Sequence, residues 1–198
     1  MIKILKPCIL VTLAIIITSL QGCTTAVVVG GAATGAAVIH DRRSAGTVID
    51  DQGASWQISH AIFSDKELSE PSHINVTVYN GAVLLTGETP SEDLKLRANA
   101  IAVQTVGNDK PIYNELAISA PTSLSTRTND AYITSKVKTA LFDIQSLPDF
   151  DVTRVKVITE NSVVYLLGLL TTAEADAVTE KARNVGGVKK VVKLFEYI

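Results

Sequence analysis

From about residue 54 onward the chain runs twice through the same order of apolar patterns. Ile58, Ala61 and Ile62 recur at helical spacing, as do Ile133, Val137, Ala140, Leu141 and Ile144. The segments Ile58–Phe63 and Val137–Phe142 correspond at an offset of 79. Each is followed by a strand-turn-strand pattern rich in β-branched and aromatic residues, Asn75 to Gly87 and Lys156 to Gly168, which align without gaps at an offset of 81. Asn80-Gly81 is a strong two-residue hairpin signal because both residue types accept positive φ, and Asn161-Ser162 is a weaker form of it. Thr89-Pro-Ser-Glu92 and Thr171-Thr-Ala-Glu174 resemble capping boxes that open a second helix, the first with Pro at the first helical position. These helices run through Ala98 and Ala102, and through Ala175 and Ala182, and end near Gly107 and Gly186-Gly187. Last strands follow at Pro111 to Ile118 and Val188 to Phe195. The expectation is an α+β chain of two tandem αββαβ domains. Each has two helices packed on a small mixed three-stranded sheet.

The N-terminal pattern is different. Lys3 and Lys6 precede an apolar run from Ile9 to Leu20, broken only by Thr12, Thr18 and Ser19. A span needs about 20 apolar residues, so this run is short for one and reads as a secretory signal. Residues 24–39 are small, apolar and uncharged, with Gly31 and Gly35 in G-x-x-x-G spacing. That stretch is a tether or short packing helix, or a self-association element. Polar residues 40–53 look like a linker, as do residues 121–128 between the repeats. The expected boundaries are a signal peptide at 1–22, a lipidated tether and linker at 23–53, domains at 54–120 and 129–198, and a linker at 121–128.

Leu20-Gln-Gly-Cys23 resembles the lipobox of bacterial lipoproteins. That resemblance implies cleavage before Cys23 and acylation of Cys23. Thr24, in place of the Asp that resembles an inner-membrane retention signal, points to the periplasmic face of the outer membrane. The two αββαβ units, each with a Gly-closed hairpin and a Gly turn before a Val-rich strand, resemble BON domains. Ile74–Tyr79, Val83–Leu85, Thr159–Asn161 and Gly186–Lys190 carry the match. With the lipobox they resemble the dual-BON-domain outer-membrane lipoproteins. The resemblance implies a non-catalytic protein that supports outer-membrane integrity and binds anionic phospholipid through its second domain. It also implies concentration at division sites and a link to the outer-membrane protein assembly machinery. In that family a Trp in the first helix of the second domain contacts lipid, and the matching position here is Tyr132.

Charge sharpens this picture. Without Lys3 and Lys6 the chain has 16 basic and 20 acidic residues, which offers nothing to nucleic acid. Residues 54–120 hold 4 basic and 8 acidic residues, whereas 121–198 hold 10 and 9. The second domain is therefore the better match for an anionic lipid surface. On its first helix Phe142 falls opposite the core stripe, with Lys138 near it and Tyr132 and Lys136 along one flank. Aromatics beside lysines suit a membrane interface, so Tyr132, Lys136, Lys138 and Phe142 are the candidate lipid-binding residues. The bland alternatives are that Phe142 and its repeat partner Phe63 are core, and that the lysines are a solvated face. Lys189, Lys190 and Lys193 add to the basic surface only if they share a face. Trp56, off the Ile58/Ile62 stripe, is assigned to inter-domain packing. No metal-type spacing, nucleophile motif or phosphate loop is present, and His60 (on a helix) and His73 (in a loop) read as structural or solvent-facing. No cofactor is expected. The competing function is a protein-interaction scaffold for an envelope partner or the assembly machinery.

Overall fold

The strands fall into two sheets of one pattern, each with its hairpin's second strand at the centre. The computed structural model describes residues 41–144 and 146–198, which lie in the compact unit 36–198. Cys23, the signal segment and the G-x-x-x-G stretch lie outside the described residues. Among those described, no helix is long and apolar enough to cross a membrane.

The first repeat opens with α1 (Ala45–Ser64), N-capped by Ser44, whose hydroxyl accepts from Thr47 N. The helix thus starts well ahead of residue 54. A single turn, α2 (Lys66–Ser69), buries Leu68. The hairpin β1 (His73–Tyr79) and β2 (Ala82–Thr89) is antiparallel, and α3 (Glu92–Val106) follows. Its N-cap is Ser91, so Pro90 precedes the helix and does not occupy its first position. The closing strand is split into β3 (Ile112–Asn114) and β4 (Ala117–Ile118), both parallel to β2. At the break Leu116 turns into the core, and Asn114 Oδ1 accepts from its backbone N–H.

The second repeat comprises α4 (Leu124–Phe142), a 3₁₀ turn at Val152–Arg154, β5 (Val155–Glu160), β6 (Val163–Leu170), α5 (Thr172–Arg183) and β7 (Lys190–Tyr197). β5–β6 is antiparallel and β6–β7 parallel. The capping box expected at Thr171 and Glu174 forms with both reciprocal hydrogen bonds. The tandem αββαβ fold is the one the sequence pattern predicts.

The two-residue turns share a device. Asn80 and Gly81, like Asn161 and Ser162, have positive φ. The Asp51 carboxylate on α1 accepts from the backbone N–H of Asn80 and Gly81 at 2.7 and 2.8 Å. The Asp130 carboxylate on α4 does the same for Asn161 and Ser162 at 2.9 and 2.8 Å. At Gly87 (φ +114°) an added Cβ would sit 1.9 Å from His73 O, and at Gly168 2.8 Å from Arg154 O. The close approach of the paired strand's backbone there explains why both hairpins close on glycine.

Each helix pair packs on one sheet face, and the opposite faces pack on each other. Val83 and Leu85 of β2 point to the first helical core, and Val164 and Leu166 of β6 to the second. Their neighbours Leu84, Tyr165 and Leu167, with Tyr79, form a third core between the sheets, bordered by Ile158, Val163, Val192 and Leu194. Polar links frame it. Tyr79 Oη donates to Arg154 O (3.3 Å) and Asn75 Nδ2 to Glu160 Oε2 (2.9 Å). Arg42 grips Glu174 with both terminal guanidinium nitrogens, at 2.6 and 2.9 Å, and also donates to Leu169 O. At one end of the seam His73 Nδ1 lies 3.2 Å from Glu88 Oε2, which also accepts from the N–H and hydroxyl of Thr122. His73 therefore opens a strand and faces the domain seam, where the sequence pattern placed it in a loop. Burial, only partly opposed by the Asn75 hydrogen bond, pushes the Glu160 carboxyl above its ordinary range.

Candidate functional site

α4 carries most of its expected core stripe inward: Ile133, Val137, Leu141 and, just beyond the helix, Ile144 are buried, while Ala140 is only half-buried. Tyr132 is 63% and Phe142 73% exposed. Phe63 is exposed as well, so neither member of that repeat pair is core. On one flank the Lys136 ammonium lies 5.3 Å from the Tyr132 ring centroid and donates to Gly186 O. On the other, Lys138 and Phe142 lie one turn apart. The four candidates thus form two aromatic–lysine pairs along the outward side of one helix.

Lys138 and Phe142 also border a cleft of about 390 Å³ that reaches Arg43, Tyr79 and Lys156. Arg43 is held in place by Asp41 (2.6 Å) and Asp51 (2.8 Å), and its guanidinium lies 3.8 Å over the Tyr79 ring. Lys156, on the sheet face turned toward the seam, has its ammonium pKa lowered by burial, and the charges of Arg43 and Lys138 push the same way against the pull of Asp51. A half-buried lysine beside other cations favours a visiting anion. Sequence pattern did not single out Arg43 or Lys156. The only signal for Lys156 was a cation in the otherwise apolar strand Val155–Ile158.

Two expectations change. Trp56 is 68% exposed and stacks on His60 of its own helix, 5.3 Å between centroids, and takes no part in inter-domain packing. Lys190 and Lys193 differ by an odd number of strand positions and so face opposite sides of β7, Lys190 with Val192 and Leu194, Lys193 with Val191 and Phe195. They do not form one patch.

Comparison with known proteins gives a consistent result. The BON domain sequence model matches residues 50–120 and 129–198. The chain is 38% identical over 179 residues to the outer membrane lipoprotein DolP of Haemophilus influenzae, covering 90% of each. It is 39% identical over 158 residues to the 21 kDa hemolysin of Actinobacillus pleuropneumoniae, covering 80% of this chain and 79% of that one. Among solved structures, CdsD, a structural protein of the Chlamydia trachomatis type III secretion system, aligns at 13% identity over 74% of this chain and 63% of its own, with a TM-score of 0.27.

Proposed function

Because the chain belongs to the BON domain family, as a dual-BON protein like the outer membrane lipoprotein DolP, we propose that it is a non-catalytic lipoprotein of the outer membrane that reads anionic phospholipid with its second domain. In this reading acyl chains on Cys23 hold it at the periplasmic face, and the protein supports envelope integrity. Each buried methylene contributes about 0.8 kcal/mol, so several acyl chains anchor stably where one is marginal.

The observation that carries the lipid reading is the outward side of α4: two largely exposed aromatic side chains, each one turn from a lysine. In water the apolar area of Tyr132 and Phe142 stays unburied. At a bilayer their rings reach headgroup depth while Lys136 and Lys138 meet phosphate. The adjoining cleft adds Lys156 as a third cation for a headgroup phosphate. Tyr buries less apolar area than Trp at such a position, so contact through Tyr132 is modest and leans on the lysines.

The test uses residues 40–198, which lack Cys23, so that binding is read without the anchor. Flotation with liposomes of neutral lipid, and of neutral lipid with phosphatidylglycerol, is compared for wild type and Tyr132→Glu. The expected result is binding selective for the anionic vesicles and lost at least tenfold in Tyr132→Glu. A folded wild-type fragment that ignores both vesicles rejects the lipid reading. The protein-scaffold reading, through the acidic first domain or the same α4 surface, would then be preferred.

A further inference from the structure

We propose that the outward face of α1 is a self-association surface, which pairs antiparallel with α1 of a second copy of this chain. Ile49, Trp56 and Phe63 recur at every seventh residue and are 70%, 68% and 67% exposed. At helical spacing they form one stripe, on the side away from the buried residues Asp51, Ile58 and Ile62. A surface helix ordinarily turns charged residues to water on that side. The charged residues of α1 are Asp50 and Asp51. Asp51 points inward to the hairpin turn, and Asp50 stands on the flank, about 100° round the helix from Ile49. The outward face is therefore free of charge along its length. An uncharged face with Trp at its centre and Phe beside it has the composition of an interface core. The fold does not require it: at the offset of 79 that aligns the helices, α4 has Thr128, Ser135 and Phe142.

Size and charge along the stripe identify the occupant. Among the large side chains the exposed face holds Gln52, Ser59 and Gly53, where nothing lies within 4 Å of an added Cβ. A second α1 laid antiparallel, with its Ser59 across from Trp56, meets this face in register. Two-fold symmetry then puts Gln52 across from Phe63 and the aliphatic stem of Lys66 across from Ile49. Each large apolar side chain of one copy meets a short or flexible one of the other, knob into hole. The ends match as well. Lys66 Nζ lies 4.3 Å from the Phe63 ring centroid, at one end of the stripe, and Asp50 borders the other end. The antiparallel register brings Asp50 of each copy beside Lys66 of the other, whereas a parallel one would set like charges together.

Two other occupants fit less well. The described chain leading into α1 runs on the seam side, where Arg43 bonds Asp51 and lies over the Tyr79 ring. An anionic bilayer is disfavoured by a first domain with 8 acidic and 4 basic residues over 54–120. The two helix layers lie on opposite sides of the paired sheets. Pairing through α1 thus covers neither α4 surface but turns the two apart, so a flat bilayer meets one of them.

The test uses the full lipidated chain in isolated cell envelopes, with two differently tagged copies expressed together. A thiol is introduced by Ser59→Cys, near the two-fold axis, or by Ser135→Cys on α4, and a short bis-maleimide is added. Ser59→Cys should give a product of twice the chain mass that carries both tags, and Ser135→Cys should not. Trp56→Arg in the Ser59→Cys background should lower the yield about tenfold or more. Asp50→Lys should lower it too, and Asp50→Lys with Lys66→Asp should restore it, a rescue that misfolding cannot mimic. Tyr132→Glu should leave it unchanged, so pairing and lipid reading fail separately. No two-tag product, equal product from Ser135→Cys, crosslinks to other proteins alone, or a yield that Trp56→Arg leaves intact would each overturn the proposal.

Discussion

At the scale of single residues, the two aspartates that hold the hairpin turns do the most with the fewest atoms. Asp51 and Asp130 are both buried, and each accepts two backbone N–H groups that point inward from a left-handed turn. The second turn depends on this more than the first. Ser162 stands at φ 65° where the first repeat has Gly81, a conformation costing an L-residue roughly 1–2 kcal/mol. Asp130→Ala removes both acceptors and leaves two amides unpaired. Hydrogen bonds to a charged group contribute about 1.5–3 kcal/mol each, and they share one carboxylate. The expected loss is therefore about 3 kcal/mol by urea denaturation, and a loss under 1 kcal/mol would show that the turn stands without its cap. These residues were within reach of the sequence. Asp51 and Asp130 are 79 positions apart, the offset that aligns the helices. They went unread because the repeat was traced through apolar residues, and a carboxylate on a helix face looks like solvent-facing charge until the turn that meets it is known.

At the scale of elements, helix patterns were easier to read than strand patterns. The α4 core stripe was visible because 3.6-residue periodicity separates a buried face from a wet one, and the Tyr132, Lys136, Lys138, Phe142 surface followed as its complement. β2 and β6 give no such contrast. Val83-Leu84-Leu85 and Val163-Val-Tyr-Leu-Leu167 are apolar at consecutive positions, and the structure shows the reason: both faces are covered, one by helices and one by the other sheet. That continuity was the sequence's signal for domain packing, since a sheet with one wet face alternates. The break between β3 and β4, by contrast, rests on Asn114 bonding back to Leu116, a local detail that composition does not encode. A substitution tests the two-faced strand. Leu167→Ala lies on the face away from the helices and should still cost about 2–4 kcal/mol, as a core leucine does. A cost within about 0.5 kcal/mol, typical of a surface position, would mean that the sheets do not stay in contact in solution.

At the scale of the whole molecule, the polar stretch before α1 becomes part of the architecture. Arg42 closes on Glu174, the capping-box residue of α5, so chain that leads into the first domain is bound to the second. Cys23 to Arg42 reaches at most about 65 Å when fully extended. In the proposed reading, an acyl anchor at Cys23 leads to a point held on the second domain, the one proposed to read lipid. Burial alone would raise the Glu174 pKa, but hydrogen bonds from Arg42 and Thr171 and the Arg42 charge outweigh it and bring it down to about 2. A folded-state pKa below the ordinary carboxylate value of 4.5 stabilises the protein above pH 4.5. That contribution fades as pH falls from about 4.5 to about 2. In Arg42→Ala the folded pKa rises toward the unfolded one, with Arg154 as the remaining cation at 3.4 Å. The variant should be less stable at neutral pH, and its acid unfolding midpoint, followed by circular dichroism, should move to higher pH. An unchanged midpoint would mean that Arg42 leaves Glu174 in solution and that the leading segment is not docked on the second domain. The proposed tether would then leave α4 in no fixed relation to the bilayer, and the headgroup contacts proposed for α4 would have to supply orientation by themselves.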